Sequence, residues 1–240
     1  MLNDTSPPLP RAVVLLSGGL DSATALALAV RAGTPCVSLS VDYSQRHRAE
    51  LDAARAVARS LGVARHVIVP LDLRPVGGSA LTADIDVPKD RLGGSPALAD
   101  IPLTYVPARN MLLLSLAVGL AEVVGADQVH IGVNQIDYSG YPDCREEFIR
   151  AFEHAARLGT KAGTADARPI RIVAPLVHMT KRQIIEAGQD AGLDFSLTLS
   201  CYDPVRRDGE VLACGRCDSC HLRREGFREA RLSDPTRYAS

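Results

Sequence analysis

Arg11-Ala12-Val13-Val14-Leu15-Leu16-Ser17-Gly18-Gly19-Leu20-Asp21-Ser22 runs from an apolar segment through a glycine turn into an Ala-rich stretch. The first six residues have the Val/Leu character of a short buried strand, and Asp21 to Arg31 that of a helix ended by Gly33 and Pro35. The pattern then repeats. Residues 36–41 predict a second strand, 48–61 a helix closing at Gly62, and 66–69 a third strand. A βαβαβ alternation with near-continuous apolar strands predicts a parallel sheet covered on both faces.

Further along, 107–124 predicts a long apolar helix, 128–133 a fourth strand, 145–158 a helix, 170–173 a fifth strand, and 180–191 an amphipathic helix opened by a Thr cap. The fold class that follows is α/β: an open, Rossmann-like parallel sheet of about five strands. Residues 74–104 have no periodicity and are expected to form a lid near the ligand. Residues 1–10, with Pro7, Pro8 and Pro10, predict a disordered end; 11–195 form the main domain, and 196–240 a segment packed on it.

Within the opening stretch, Gly18 and Gly19 let the backbone approach an anion closely where a helix N-terminus offers free N–H groups. Ser17 and Ser22 add hydroxyl donors, and Asp21 fits beside phosphate if it helps to hold Mg²⁺. The loop lacks Gly-Lys-Ser/Thr and so is no Walker A loop, and its glycine spacing is not that of dinucleotide folds. Its bland alternative is a plain strand-to-helix turn.

The tail carries a second signal. Two residues separate Cys214 from Cys217 and two more separate Cys217 from Cys220, while twelve separate Cys201 from Cys214. This spacing predicts that Cys201, Cys214, Cys217 and Cys220 bind one zinc ion, with three of the thiols on a single turn-rich loop. Four thiolates leave no open coordination position, so the site is structural. Cys36 and Cys144 lie outside it.

Bulk properties narrow the classes. The net charge of −1 gives no global attraction to nucleic acid or acidic membrane. The tail from Cys201 has eight Arg against seven Asp and Glu, a balance of +1, and is not a basic arm. The longest uncharged apolar run, Asn110 to Ala121, falls short of a membrane span. With no signal-peptide pattern and with clustered thiols, a reducing cytoplasm is expected.

Ser17-Gly18-Gly19-Leu20-Asp21-Ser22 resembles the pyrophosphate loop (PP-loop) of the N-type ATP pyrophosphatases. Three more stretches narrow the resemblance: Asp42-Tyr43-Ser44-Gln45-Arg46-His47, Tyr105-Val106-Pro107-Ala108-Arg109-Asn110, and Gly132 through Arg145, which contains Ser139-Gly140-Tyr141-Pro142-Asp143-Cys144. With the four-cysteine tail, these are similar to the 7-cyano-7-deazaguanine synthase family of queuosine biosynthesis. Ser44 departs from that pattern, which usually has Gly there.

The resemblance implies an adenine nucleotide alpha-hydrolase-like fold and ATP with Mg²⁺ at Leu16, Ser17, Gly18, Gly19, Leu20, Asp21, Ser22, Asp42, Tyr43 and Gln45. It implies catalytic roles for Asp21, Lys181 and Arg109. It also implies a ligase that converts 7-carboxy-7-deazaguanine and ammonium, through an adenylated acid, an amide and an adenylated amide, to the nitrile. A homodimer without nucleic acid or membrane partners goes with it.

The residues also carry a reading of their own. Asn134, Asp137, Ser139, Tyr141 and Asp143, joined by Arg109 and Asn110, offer the donors, acceptors and stacking face that a guanine-like base requires. The alternative is that Asp137 and Asp143 merely cap the helix beginning near Arg145, a reading that fits Asp143 better than Asp137. Arg109 suits a substrate carboxylate or a phosphate. Lys181 is either a cation for ATP phosphates or an exposed residue of a first helical turn. Cys144 reads as a packed residue, and neither His47 nor His178 is assigned as a base. Rival readings are a tRNA-thiolating pyrophosphatase, a relative that attaches a deazaguanine to another acceptor, and a non-catalytic nucleotide-binding module.

Overall fold

The computed structural model describes residues 11–43, 49–90, 101–134 and 140–239. Five strands form one sheet: β1 (Ala12–Leu15), β2 (Cys36–Asp42), β3 (Arg65–Pro70), β4 (Gln128–His130) and β5 (Arg171–Val173). Their order is β3-β2-β1-β4-β5, and every neighbouring pair is parallel. The chain moves outward from β1 to β3 and then returns to place β4 on the other side of β1. That reversal opens a crevice at the carboxyl ends of β1 and β4, where open α/β sheets bind ligands.

Alternate residues of β1 divide the core. Ala12 and Val14 face a cluster with α1 (Leu20–Arg31), α2 (Ala49–Ser60), α6 (Lys181–Asp190) and α7 (Asp218–Glu229). Val13 and Leu15 face α3 (Arg109–Val124) and α4 (Glu146–Gly159) on the other side. A short helix, α5 (Lys161–Thr164), occupies the connection between α4 and β5. At the start of α6, the Thr180 side chain accepts from the Gln183 N–H while the Gln183 side chain accepts from the Thr180 N–H, a reciprocal cap.

The tail departs from the expected turn-rich loop. It contains an antiparallel hairpin, β6 (Val205–Arg207) and β7 (Glu210–Leu212), and then the twelve-residue α7. Cys217 caps α7 and Cys220 sits in its first turn, so helix geometry sets the spacing of these two thiols. The described part of the expected lid is a packed wall. Ala80, Leu81 and Val87, with Leu73 and Val106 flanking the segment, form one buried cluster with Cys201, Cys214, Cys217 and Cys220. Lys89 pairs with Asp203 at 2.8 Å, and the Asp90 N–H donates to the Arg216 carbonyl at 2.9 Å. Residues 1–10 and 91–100, included in the expected disordered end and lid, lie outside the described residues.

Candidate active site

The phosphate loop sits between β1 and α1. Gly18 has φ +90°, and a Cβ there would come within 2.2 Å of the Glu50 carbonyl oxygen and 2.8 Å of the Ala54 nitrogen. Only glycine lets α2 lie this close behind the loop. Ser17 and Ser22 join hydroxyl to hydroxyl at 2.9 Å, and the Ser17 N–H donates to the Ser22 Oγ at 3.1 Å. From the tail, the Leu199 N–H donates to the Gly18 carbonyl at 2.9 Å and Ser200 Oγ accepts the Leu20 N–H at 3.1 Å. Ser219, beside Cys220, donates in turn to the Ser200 carbonyl at 2.5 Å. The cysteine segment therefore buttresses the phosphate loop directly, a role for Ser200 and Ser219 that the sequence reading missed.

Asp21 and Lys181 meet at the mouth of the loop. Lys181 Nζ donates to both carboxylate oxygens, at 2.7 and 2.8 Å, and its side chain is 12% exposed. Lys181 is thus not the exposed helix-turn residue of the alternative reading. The Asp21 carboxylate is committed to it here.

Beyond the loop the cavity runs between Tyr43, Glu50, Arg109, Tyr141 and Tyr202. Burial opposes the charge of Arg109, yet Tyr43, Cys144, Tyr202 and Tyr141 around it hold it protonated above its usual range. Arg109 hydrogen-bonds Tyr43, whose hydroxyl burial pushes up to about 12. Burial likewise pushes the Glu50 carboxyl up to about 7, against the opposing pull of Arg109. Glu50 was absent from the sequence reading. The signal available was its place in the first turn of α2, directly after the Asp42–His47 stretch.

The structure distributes the expected substrate residues unevenly. Asn110 and Tyr141 line the cavity with Arg109. Tyr141 stacks on Tyr105 with ring centroids 5.9 Å apart, and its hydroxyl meets Thr104 Oγ1 at 3.0 Å. Asp143 is buried, and its carboxylate accepts the Asn110 N–H at 2.9 Å. It therefore caps α3 from a distance, where Ala108 (φ +56°) provides no side-chain cap. This is not the cap of α4 that the sequence offered, where Arg145 stands at the N-terminus without a side-chain cap. The Asn110 amide donates to the Asp143 carbonyl and to Cys144 Sγ, both at 3.1 Å, which fits Cys144 as a packed residue. Asn134 is fully buried at the end of the β4 segment, and Asp42 closes β2; neither lines the cavity. His178 is largely exposed, 3.6 Å from Glu146. Gln45 and His47, with Asp137 and Ser139, lie outside the described residues.

Cys201, Cys214, Cys217 and Cys220 are all buried, and their sulfurs lie within 4.8 Å of one another. The Cys214–Cys220 and Cys217–Cys220 pairs are 4.0 and 3.5 Å apart. Four bonds of about 2.3 Å to a tetrahedral zinc require sulfurs roughly 3.8 Å apart, so the cluster fits that ion. The backbone N–H groups of Asp203 and Cys214 point at Cys201 Sγ, and those of Arg216 and Cys217 at Cys214 Sγ. Amides aimed at sulfur suit thiolates better than thiols. Hydrogen bonds from Cys201 and Cys220 draw the Cys217 thiol well below its usual range, and giving that bond drives the Cys201 thiol up. A divalent cation would resolve this competition by stabilising all four as thiolates.

The family model described as "Queuosine biosynthesis protein QueC" matches residues 11–231. The chain is 60% identical over 229 residues to the 7-cyano-7-deazaguanine synthase of Solidesulfovibrio magneticus, covering 95% of each chain. It is 59% identical over 228 residues to that of Myxococcus xanthus, covering 95% of this chain and 97% of that one. Among solved structures, NMN synthetase from Francisella tularensis aligns at 17% identity and a TM-score of 0.49, over 94% of this chain and 79% of that one.

Proposed function

The chain belongs to the queuosine biosynthesis QueC family, and on that premise we propose that it is a 7-cyano-7-deazaguanine synthase. In this reading it is an ATP-consuming ligase that converts 7-carboxy-7-deazaguanine and ammonia to the nitrile. The observation that carries the reading is the 60% identity to a relative of that name over 95% of both chains. The cavity supports it by joining a phosphate loop to a pocket that holds a cation, Arg109, and aromatic faces.

A carboxylate resists attack by ammonia because its leaving group would be an oxide. Attack of its oxygen on the α-phosphate of ATP instead makes an acyl adenylate, and ammonia displaces AMP to give the amide. A second adenylation, on the amide oxygen, followed by loss of AMP gives the nitrile. Ser17, Ser22 and the loop amides bind the phosphates, and Lys181, presented by Asp21, neutralises charge that builds up there. Arg109 orients the substrate carboxylate, and Tyr141 offers its ring to the base. Magnesium arriving with ATP supplies further charge neutralisation.

In the same reading, Cys201, Cys214, Cys217 and Cys220 hold one structural zinc that fixes the Leu199–Ser200 segment against the loop. No helix among the described residues is long and apolar enough to cross a membrane. The protein acts as a homodimer on small molecules in a reducing compartment. The outward face of α3 leaves Met111, Leu112 and Val123 exposed at 47%, 39% and 81%, which supports a partner there. A steady-state assay with ATP, Mg²⁺ and ammonium, with and without the acid, tests the function. Nitrile with AMP is the expected product. Absence of acid-dependent AMP formation from zinc-replete protein refutes the reading.

A further inference from the structure

Two carboxylates line the cavity among the described residues, Asp21 and Glu50. Both oxygens of Asp21 are taken by Lys181. Glu50 projects from the first turn of α2, and the backbone of that turn lies directly behind Gly18 of the phosphate loop. It shares the pocket with Arg109 from α3 and Tyr43 from the end of β2. Of these, Arg109 is held protonated and cannot accept a proton, and Tyr43 ionises only well above neutrality. Cys201, also on the wall, belongs to the cysteine cluster.

We propose that Glu50 is a catalytic residue, the proton acceptor for the nitrogen chemistry of this site; this rests on the reaction proposed above. Adenylation of the acid needs no such group: a carboxylate oxygen bonds to the α-phosphorus and the bond to pyrophosphate breaks. The nitrogen steps do need one. When ammonia adds to the acyl adenylate, the C–O bond to AMP breaks and the new ammonium nitrogen must lose a proton. When the amide oxygen is adenylated and AMP departs, the amide nitrogen loses two protons in turn as the C≡N bond completes. Glu50 takes each proton and passes it to solvent before the next. A carboxyl poised near 7 is matched to both halves of that cycle.

The test uses the full-length zinc-loaded protein and its Glu50→Gln and Glu50→Asp variants. Two reactions are followed: acid-dependent exchange of pyrophosphate into ATP, and conversion of the supplied amide to nitrile. Glu50→Gln is expected to retain exchange within a few-fold and to lose amide-to-nitrile turnover by roughly 10²–10⁴. Wild-type turnover of the amide, which involves no ammonium ionisation, is expected to rise with pH through about 7. Glu50→Asp should keep that rise at a lower rate. Wild-type turnover of the amide by Glu50→Gln overturns the proposal. So does equal loss of exchange and turnover, which would make Glu50 a binding residue, and so does a flat wild-type profile. Failure of the wild-type protein to form nitrile at all would instead refute the function proposed above.

Discussion

Asp21 and Lys181 lie 160 positions apart in the chain, and both oxygens of the one carboxylate are hydrogen-bonded by the single ammonium of the other, at 2.7 and 2.8 Å. The carboxylate comes from the first turn of α1, at the phosphate loop, and the ammonium from the first residue of α6. The Lys181 stem is clamped from behind by α7, because a Cβ on Gly226 would lie 2.6 Å from Lys181 Cγ. The pair thus holds a lysine, balanced by the Asp21 carboxylate, beside the phosphate loop from a segment remote in sequence.

Replacing Lys181 by Met keeps the packed stem and removes the charge. The expected result is a fall of roughly 10²–10³ in kcat/KM for ATP with little change in melting temperature. Asp21→Asn should lose activity too, and the double variant should be little worse than the poorer single one, because the two groups act as a unit. Strict additivity in steady-state kinetics would show that they act separately.

Metal content gives the second prediction. The protein as purified is expected to carry one zinc per chain, lost in Cys220→Ser, and all six thiols of the wild-type chain are expected to react in denaturant once the metal is chelated. Losing even about 3 kcal/mol of metal-linked folding energy lowers the unfolding midpoint by roughly 6–12 °C in a chain of this size. Because Ser219 holds Ser200 and Ser200 holds the Leu20 N–H, nucleotide affinity should fall along with stability. Metal analysis combined with ATP titration checks both arms.

The third prediction concerns the turn at Gly18. Alanine there must adopt φ +90° and place its Cβ 2.2 Å from the Glu50 carbonyl oxygen. Since the clash is with backbone, no side-chain rotation relieves it, and α2 must retreat. A loss of at least about 1–3 kcal/mol in stability is expected, along with near-complete loss of ATP binding. Denaturant unfolding and calorimetric titration read the two effects. Normal ATP affinity would show that the loop tolerates a displaced α2.

Local pattern explains what could be read in advance. The turn at Ser17–Ser22, the five strands and the cysteine spacing each announce themselves within a dozen or so residues. Properties that arise from contacts between distant segments do not. Glu50 gains its shifted carboxyl from burial in the folded cavity, which its place in the first turn of α2 after the Asp42–His47 stretch does not by itself reveal. Asp143 was legible as a capping residue, but not that it would cap α3 rather than the helix next to it. The 74–104 segment lacks periodicity because its described part packs as turns against the cysteines rather than as repeating elements, so a packed wall and a loose lid look alike in sequence.

The last prediction concerns how the end of the chain is held. Arg223 on α7 is 2% exposed and donates to Asp234 Oδ1 at 3.0 Å, to Thr198 Oγ1 at 2.7 Å and to the Phe195 carbonyl at 3.1 Å. Tyr238 donates to the other oxygen of Asp234 at 2.5 Å. Burial alone would raise the Asp234 carboxyl, but the Tyr238 hydroxyl and Arg223 outweigh it and hold the carboxyl below its usual range. A carboxyl depressed in the folded state contributes stability above its unfolded pKa, about 3.9, and that contribution is lost as pH falls through the folded value. Wild-type protein should therefore lose part of its stability below about pH 4, and Asp234→Asn should flatten that part of the curve. Arg223→Ala leaves the carboxylate buried without its cation and should cost about 3–5 kcal/mol at neutral pH, more than Asp234→Asn. Urea melts across pH 3–7 on the three proteins distinguish this from a surface ion pair, whose removal would be close to neutral throughout.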